Sequence, residues 1–448
     1  MLAPMASSWL RVYRFATGVL APFAARRLAR AAGDAPELLA RQPERRGHVP
    51  DAGGELWVHA ASVGELNAAE PLVRALAGDR QHRIVVTTLT HTAAVEAHRR
   101  FAGRDTVRHL FAPLDTVGCV ARWLDHTRPR GLVLVETEIW PVMLEQCRRR
   151  SIPVAMVNAR VSSRATRRYR RFAGLFREAL ADVDPVLCQD EISRERFEVL
   201  GVDRNRTRVT GNLKFDVGSL AVPGDEPLDW QRRWSGRPAW VAGSTHAAEE
   251  SIVAGAHSRL LQAHSDALLL VVPRHPERGL EAFDACERAG LNACMMEDWA
   301  ARSVQESGEK DPIHAIVVDR VGVLSDLYQL VDVCVVCGSL VDGIGGHNLI
   351  EPALAGKPIL TGPHTADQQA AAEGLEAAEG LVRVDSETVL AQALARIFED
   401  RQFARQLAAN ASAFVERQRG ALAATMEVLA SWLPSGSPTD SAPTAGRG

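Results

Sequence analysis

Short runs of aliphatic residues alternate along the chain with longer stretches in which apolar positions recur every three or four residues. Many of the short runs are continuously apolar, which is typical of parallel β-strands covered on both faces. The longer stretches, such as 66–76 and 249–262, have the spacing of amphipathic helices. The runs that we predict to form strands are 56–60, 83–89, 131–136, 154–158, 186–189 and 208–212 in the first half, and 239–243, 268–272, 315–319, 333–336 and 359–361 in the second.

The strand–helix alternation occurs twice and predicts two doubly wound, Rossmann-like α/β domains that face a central cleft. Between them the pattern lapses into a segment rich in Gly, Pro and charged residues. We therefore predict an N-terminal domain over 51–220 and a C-terminal domain over 235–400. A helical stretch over 401–433 follows, and residues 434–448 have the composition of a disordered tail.

The amino-acid composition excludes some classes of protein. Of the 448 residues, 46% are hydrophobic and 24% charged, and the formal net charge of -3 excludes a generally basic nucleic-acid binder. Seven scattered cysteines do not make a disulfide framework. The only lysines are Lys214, Lys310 and Lys357, so nearly all of the basic residues are arginine.

Basic charge is concentrated in two segments. Residues 1–50 contain eight arginines against three acidic residues, and their uncharged part, 15–25, is too short to span a bilayer. We interpret 1–50 as a basic amphipathic segment lying at an anionic membrane surface, with an ordinary surface helix as the alternative. Residues 148–177 contain ten arginines and no acid. Such a run is by default a solvated face, but phosphates and anionic headgroups are natural partners.

Several familiar motifs are absent or misleading. No G-x-G-x-x-G follows the first strand and no P-loop motif occurs, which argues against dehydrogenases and P-loop NTPases. Cys334 and Cys337 have metal-ligand spacing but lie in an apolar run, so we interpret them as part of a buried strand. Asp182 and Asp184 precede a proline and a strand, and we predict a turn there.

In the first half, polar residues follow three predicted strands. Glu65 stands where a helix should begin, so it is either a helix-capping acid or a cleft residue. Glu136 and Glu138 end an aliphatic strand, and they either cap the next helix or one of them faces the cleft. Lys214 suggests that a compact, flexible ammonium is required in this arginine-rich chain.

In the second half, three further clusters end strands. Ser244 and Thr245 lead into a helix whose free N–H groups could bind an anion. Arg274 follows the next strand, and a glycine turn over 338–346 leads to Glu351, which is suited to accept hydrogen bonds from ribose hydroxyls. Together these clusters predict a pocket for a phosphorylated sugar.

With these clusters, the sequence resembles the bacterial lipid A Kdo transferases, the 3-deoxy-D-manno-octulosonic acid transferases of lipopolysaccharide assembly. The matching motifs are HAASVGE (59–65), VETEIWP (135–141), NARVSSRA (158–165), GNLKFD (211–216), GSTHAAEE (243–250), PRHPER (273–278) and GGHNLIEP (345–352). The resemblance implies a GT-B fold, CMP-Kdo as donor, a lipid A precursor as acceptor and an inverting reaction. It also implies no metal or other cofactor, a location at the cytoplasmic face of the inner membrane, and a last helix that packs back on the N-terminal domain.

Site residues carry over by position. Glu65 matches the catalytic base, and Glu136 and Lys214 match transition-state stabilisers. The residues that match the CMP-binding segments are Pro273, Arg274, Gly322, Asn348, Leu349, Ile350 and Glu351, with Ser244 and Thr245 as further candidate contacts to the donor anion. The sequence departs from the family at Val323, where an acid is usual, at Leu349, where proline is usual, and in a less hydrophobic N-terminus.

Two alternatives stay open at this point. One is another GT-B enzyme that uses a UDP-sugar, either a glycosyltransferase or a 2-epimerase. The other is a non-catalytic membrane-binding scaffold that retains the fold, although such a scaffold would not need Glu65, Glu136 and Lys214 together.

Overall fold

The computed structural model describes residues 8–30, 36–51, 53–78, 82–216, 222–301 and 312–433. They form two compact units. The first contains the described residues up to 216 together with those from 418 onward, and the second contains those from 222 to 417. The tail predicted over 434–448 lies outside the described residues.

The first unit is built on one seven-stranded parallel sheet with the order β3-β2-β1-β4-β5-β6-β7. Its strands are β1 (Leu56–His59), β2 (Ile84–Thr88), β3 (Val107–Phe111), β4 (Gly131–Val135), β5 (Val154–Ala159), β6 (Val183–Cys188) and β7 (Thr207–Val209). Because β2 and β4 lie on opposite sides of β1, the strand order reverses between β1 and β4. In parallel α/β sheets such a reversal opens a crevice at the carboxyl ends of the strands, where ligands bind.

Two helices precede β1, and helices follow most of the strands. They are α1 (Ser8–Arg30), α2 (Pro36–Ala40), α3 (Val63–Gly78), α4 (His91–Phe101), α5 (Val117–Thr127), α6 (Pro141–Arg149), α7 (Ser163–Arg170), α8 (Ala173–Ala179) and α9 (Glu191–Val199). A short 3₁₀ turn, Leu213–Phe215, comes after β7.

The second unit has a second seven-stranded parallel sheet with the order β10-β11-β9-β8-β12-β13-β14. Its strands are β8 (Ala239–Thr245), β9 (Leu268–Pro273), β10 (Ala293–Met295), β11 (Ala315–Val317), β12 (Val333–Val336), β13 (Ile359–Thr361) and β14 (Val382–Arg383). The strand order reverses here between β8 and β12.

The helices that accompany this sheet are α10 (Asp225–Trp234), α11 (Glu249–Leu260), α12 (Gly279–Arg288), α13 (Met296–Ala301), α14 (Leu324–Leu330), α15 (Ile350–Leu354), α16 (Gln369–Ala377), α17 (Glu387–Glu399) and α18 (Arg401–Gln418). The last helix, α19 (Ala421–Trp432), belongs to the first unit. Leu429 of α19 is buried in the same apolar cluster as Leu56 of β1 and Leu66 of α3. A Cβ at Gly131 would lie 2.9 Å from the Trp432 ring, so β4 begins with the residue that leaves room for this helix.

Each sheet is covered on both faces, which explains the continuous apolar runs. In the first unit, Trp57 and Leu132 pack in one cluster and Val58 and Val133 in the other, as alternation along a strand requires. The prediction of two doubly wound α/β domains is confirmed. The cleft predicted between them stays a prediction.

The sequence missed three strands, β3, β10 and β14, and all three lie at sheet edges. An edge strand is covered less completely, and β3 carries half-buried Arg108 and His109 that break its apolar run. Two further predictions need correction. The segment between the domains contains helix α10, and the turn predicted at Asp184 is part of strand β6.

Cys334 and Cys337 are buried free thiols, and Cys334 lies within β12. Burial raises the pKa of both thiols well above the usual range. The interpretation as a buried strand residue is confirmed for Cys334, whereas Cys337 is buried directly after β12.

Candidate functional site

The reversal point of the first sheet brings together residues that are distant in sequence. Glu65 lies in the first turn of α3, just after β1, and Glu136 directly follows β4. Lys214, in the 3₁₀ turn after β7, places its Nζ 2.8 Å from Oε1 of Glu136. Glu136 is also near enough to Glu65 for its charge to raise the pKa of that carboxyl. The three residues predicted as catalytic therefore form one cluster.

Glu65 takes part in a reciprocal capping arrangement at the start of α3. Oε2 of Glu65 accepts hydrogen bonds from the backbone N–H groups of Ala61 at 2.5 Å and Ser62 at 3.1 Å. The Glu65 N–H in turn donates to Oγ of Ser62 at 3.4 Å. No described residue donates to Oε1. The capping interpretation is therefore right for one oxygen of Glu65, and the other oxygen remains available for chemistry.

The pKa of Glu65 differs from what its place at a helix start would suggest, because a helix dipole favours an ionised carboxylate. Burial, then the charge of Glu138, then that of Glu136 raise the pKa of Glu65 to about 7, while His59 and the Ser62 N–H act in the opposite direction. Near neutral pH this carboxyl can therefore exchange a proton readily, as a general base must.

Glu136 and Glu138 do not cap the next helix. Helix α6 is capped by buried Asp115, whose carboxylate accepts hydrogen bonds from the N–H groups of Val142 and Met143 at 3.2 and 2.7 Å. Glu136 instead adopts a left-handed backbone conformation, with φ of 62°, and pairs with Lys214. A non-glycine residue in this region is a local strain that functional sites often contain.

The Lys214 turn is fixed by Asn158, at the carboxyl end of β5. Oδ1 of Asn158 accepts a hydrogen bond from the N–H of Leu213 at 2.9 Å, and Oδ1 of Asn212 accepts one from the N–H of Lys214 at 3.0 Å. Asn158 is fully buried and also has a positive φ, 52°. It therefore positions the lysine against β5, the neighbour of the strand that carries Glu136.

Sequence reasoning did not select the residues that hold Glu138. Nε2 of buried His59 lies 3.3 Å from Oε2 of Glu138, and Nε1 of Trp140 donates to the same oxygen at 2.6 Å. On the other side, Nδ1 of His59 lies 2.9 Å from Oγ1 of Thr87, which accepts a hydrogen bond from Nε1 of Trp57 at 2.7 Å. His59 thus lies between Thr87 on one side and Glu138 on the other, within hydrogen-bond distance of both.

This chain of hydrogen bonds fixes the ionisation of Glu138. Burial would raise the pKa of Glu138, but the hydrogen bond and charge of His59 and the hydrogen bond of Trp140 lower it below the usual range. A negative charge is thus held beside Glu65. A histidine and a threonine inside otherwise apolar strands were the available sequence signal.

In the second unit, Glu249 occupies the reversal point. Its buried carboxylate accepts four backbone hydrogen bonds of 2.9 to 3.0 Å, from His246, Gly338, Ser339 and Leu340. These four N–H groups already have an acceptor in Glu249. It thereby joins the end of β8 to the turn after β12.

Other predicted donor contacts lie around this point. Ser244 has a positive φ of 59° at an irregularity in the β8–β9 pairing, and Thr245 is buried with no hydrogen-bond partner for Oγ1 among the described residues. Pro273 is buried at the end of β9, whereas Arg274 is exposed. Gly322 is exposed, with φ of 90°, ahead of α14.

The segment 348–351 forms the start of α15. Asn348 Nδ2 donates to Oε1 of Glu351 at 2.9 Å, and burial raises the pKa of Glu351 while this hydrogen bond lowers it. Leu349 and Ile350 are buried, so any ligand contact that they make would come from the backbone. The structure thus brings Asn348 and Glu351 together as one polar pair.

A pocket of about 610 Å³ opens beside the loops that follow β12 and β13. Its polar lining includes Asp342, Asp367, Glu373 and Arg383. None of these was selected from the sequence, because they come from a loop, a 3₁₀ turn, helix α16 and strand β14, which share no motif.

Two all-parallel α/β units, each with polar residues at its reversal point, have the fold of the GT-B type. Among solved structures, the chain is similar to a putative UDP-N-acetylglucosamine 2-epimerase from Listeria monocytogenes, with TM-score 0.54, 12% identity and coverage of 85% of this chain and 96% of that one. It is also similar to a glycosyltransferase from Rickettsia africae, with TM-score 0.52, 11% identity and coverage of 87% and 100%. At these identities the likeness shows the fold alone.

Sequence relatives define the family. Residues 40–217 match the family model described as 3-deoxy-D-manno-octulosonic-acid transferase (kdotransferase). The 3-deoxy-D-manno-octulosonic acid transferase of Bordetella pertussis is 35% identical over 446 residues, covering 96% of this chain and 97% of that protein. The Haemophilus influenzae protein of the same name is 32% identical over 385 residues, covering 84% and 87%. The chain belongs to the 3-deoxy-D-manno-octulosonic acid transferase family. The members of this family are glycosyltransferases.

Proposed function

We propose that this protein transfers Kdo from CMP-Kdo to a hydroxyl of a lipid A precursor in lipopolysaccharide biosynthesis. The observation that carries the proposal is the cluster of Glu65, Glu136 and Lys214, in which a proton-accepting carboxyl lies beside an ion pair. Family membership supports the choice of sugar, and the donor and acceptor follow from the resemblance stated above.

In this proposal Glu65 is the general base. The acceptor oxygen attacks the anomeric carbon of Kdo, the bond from that carbon to the CMP phosphate breaks, and the hydroxyl proton moves to Oε1 of Glu65. Oε2 is held by the N–H groups of Ala61 and Ser62, which fixes the carboxyl plane. With a pKa of about 7, Glu65 is ionised in a large fraction of molecules and is still basic enough to take the proton.

Glu136 and Lys214 act as a preorganised pair of opposite charges. A sugar that loses its leaving group develops positive charge, and the departing phosphate carries negative charge. A carboxylate and an ammonium 2.8 Å apart, tied to β4 and β5, offer both signs without a large rearrangement. We expect CMP to be held in the second unit by Arg274, Gly322 and the Asn348–Glu351 pair.

The test is a transfer assay with purified protein, CMP-Kdo and a tetraacylated lipid A precursor, with the product measured by mass. We expect a gain of one or more Kdo units, and a loss in rate on the order of 10²-fold in Glu65→Gln. The matched control is Glu70→Gln, which removes a carboxylate from the same helix at a site paired with arginines. Absence of transfer by the wild type, with UDP binding in preference to CMP, would contradict the proposal and favour a UDP-sugar enzyme.

The surface of the first unit supports a second part of the proposal, binding to the anionic cytoplasmic face of the inner membrane. Helix α1 exposes Phe15 and Phe23, with 75% and 64% of their surface accessible, and Trp9 of α1 packs edge-on against Phe172. No helix in the described ranges is both long and apolar enough to cross a bilayer. An exposed apolar helix face with flanking arginines is typical of segments that lie in the interface.

The second basic segment contributes further cationic side chains to the first unit. Of the ten between 148 and 177, seven form no ion pair with any described residue: Arg160, Arg164, Arg167, Arg168, Arg170, Arg171 and Arg177. Helix α1 is joined to this unit by hydrogen bonds from Tyr13 to Asp115 at 2.9 Å and from Arg14 to Glu145. Each arginine near an anionic surface contributes about 1 kcal/mol of attraction.

Co-sedimentation with vesicles tests this part. We expect binding to phosphatidylglycerol vesicles, little binding to phosphatidylcholine alone, and loss of binding at high salt. Phe15→Ser with Phe23→Ser should weaken binding, whereas Val222→Ser, an exposed apolar residue of the second unit, should not. Equal binding to neutral and anionic vesicles would contradict the role of the arginines.

A further inference from the structure

Three histidines gather at the carboxyl edge of the second sheet. His246 follows β8, His275 follows β9 and His347 lies in the loop after β12. The ring centroids of His246 and His347 are 5.1 Å apart, and those of His246 and His275 are 5.8 Å apart. A Cβ at Gly338 would lie 2.6 Å from the His347 ring, so the chain has glycine where this imidazole crosses the backbone. The site is therefore shaped around the imidazoles.

His246 and His347 share a proton. Their Nε2 atoms are 2.8 Å apart, which is a hydrogen-bond distance, so one Nε2 carries hydrogen and the other accepts it. Two nitrogen ligands of a tetrahedral zinc ion would lie about 3.4 Å apart, given zinc–nitrogen distances of about 2.0–2.1 Å, so the 2.8 Å distance fits a hydrogen bond better than a shared zinc ion. In the hydrogen-bonded histidine pair, the ring that donates through Nε2 has a lone pair on Nδ1, and no described residue hydrogen-bonds to either Nδ1 atom. The pair can therefore accept one further proton.

The surrounding charges keep this pair neutral until an anion arrives. Burial, then His246, Arg274 and His275, lower the pKa of His347 to about 4. Burial also lowers the pKa of His246, where Glu249 opposes the effect and His275, Arg274 and Arg278 add to it. An anion placed among these groups would counter the cationic neighbours and favour protonation.

Two neighbours indicate where such an anion would lie. The guanidinium of Arg274 is exposed and forms no ion pair with a described residue, while its backbone N–H donates to the Thr245 carbonyl at 2.9 Å. Oγ1 of Thr245 is buried without a hydrogen-bond partner in the described ranges. An arginine and an unsatisfied hydroxyl beside the shared-proton pair make a site suited to one phosphate group.

We propose that the His246–His347 pair takes up one proton when the phosphate of the CMP donor binds beside Arg274, and that the charged pair then stabilises the departing CMP. The proton comes from solvent on binding and returns to it when CMP leaves. The identity of the donor rests on the function proposed above, whereas the coupling of phosphate binding to proton uptake is additional to it.

Titration calorimetry of the full-length protein with CMP tests the coupling. The heat of binding, measured near pH 7 in buffers of different ionisation enthalpy, gives the number of protons taken up per CMP. We expect net uptake by the wild type, relative to His246→Gln and His347→Gln measured at the same pH, so that the titration of CMP itself cancels. The apparent Kd of the wild type should rise with pH more steeply than that of the variants, by at most about tenfold per pH unit for one linked proton.

Two controls define the result. Cytidine, which lacks the phosphate, should bind without proton uptake, and His126→Gln, which removes an exposed imidazole of the first unit, should behave as wild type. If wild-type protein binds CMP without proton uptake, or if uptake persists in both pair variants, the inference is wrong while Kdo transfer by the wild type would still stand. Absence of both CMP binding and transfer would instead refute the donor assignment and the inference together.

Discussion

Glu138→Gln is the most direct test of how the charge cluster works. Glutamine has nearly the same shape and can still accept the hydrogen bond from Trp140, but it removes the negative charge that raises the pKa of Glu65. Because burial is the larger cause and is unchanged, the pKa of Glu65 should fall only part of the way from about 7 toward its ordinary value of 4.5. For scale, any two unit charges about 8 Å apart at an effective dielectric constant near 20 interact by roughly 2 kcal/mol, which corresponds to about 1.5 pKa units. We therefore expect a fall of about one unit.

We expect the pH–rate profiles of the wild type and Glu138→Gln to cross. At about pH 6, a base with a pKa near 6 is half ionised and one with a pKa near 7 is about one-tenth ionised, which favours the variant by roughly fivefold in ionised base; after a loss of about threefold in base strength, the variant should be faster by about twofold. Above pH 8 both bases are ionised, and the variant should be about threefold slower because it is the weaker base. Structural damage alone would lower the rate at every pH.

The assay is the initial rate of Kdo transfer at saturating substrates, between about pH 5.5 and 8.5 at constant ionic strength. Glu70→Gln again serves as the control, since it removes a carboxylate of the same helix and should leave the profile unchanged. The reasoning would be refuted if the rate fell on the acid side at the same pH in the wild type and Glu138→Gln. It would also be refuted if the wild-type rate fell only near pH 4.5, the ordinary pKa of glutamate.

Three further outcomes are expected. Glu65→Gln should raise the free energy of unfolding at pH 8 by up to about 3 kcal/mol, because the wild type must keep Glu65 ionised at that pH although folding raises its pKa from 4.5 to about 7. The gain should vanish below about pH 4.5, and denaturant unfolding at both pH values measures it. Lys214→Ala should lower kcat by on the order of 10²-fold with little change in the KM for CMP-Kdo, and an effect confined to KM, or an equal loss in Lys357→Ala, would contradict transition-state stabilisation. Asp115→Ala should cost about 2 to 3 kcal/mol of stability, because it leaves two helix N–H groups and a tyrosine hydroxyl without their acceptor, whereas exposed Asp125→Ala should cost less than about 1 kcal/mol.

The sequence predicted the central strands of each sheet and missed three of the four edge strands, for a physical reason. Strands such as 131–135 and 333–336 are covered on both faces, so almost every position is apolar and the run is visible without any partner. Val107–Phe111 lies at a sheet edge and carries arginine and histidine, so its strand character depends on pairing with β2. The local sequence pattern does not show which strands will pair in this way.

The site shows the same division. Glu65, Glu136 and Lys214 were predicted individually because each follows a strand or lies in a motif. The link between His59 and Glu138 depends on the register that places His59 opposite Leu134, four residues before Glu138. Such contacts join strands that are neighbours in space and distant in sequence, so only the folded structure brings them together.

Each unit has a glutamate at the equivalent position, but the two glutamates have different roles. Glu65 and Glu249 each lie in the first turn of the helix after a central strand, and each accepts the N–H of the residue three positions earlier through Oε2. Glu249 has both oxygens occupied by backbone N–H groups, two on each, and three of those groups belong to a turn about ninety residues away. Glu65 has one oxygen bonded and lies beside two other carboxylates.

The same substitution should therefore have opposite effects on stability. Glu249→Gln replaces an acceptor by a donor that faces backbone N–H groups, which leaves buried groups unsatisfied and should cost about 2 to 4 kcal/mol at pH 8. Glu65→Gln should stabilise the protein at pH 8 for the reason given above. If both variants lost stability equally at pH 8, the distinction between a structural carboxylate in the second unit and a proton-accepting one in the first would be wrong. If their effects differ in sign, the position alone does not determine the role of such a glutamate, and the groups around its second oxygen do.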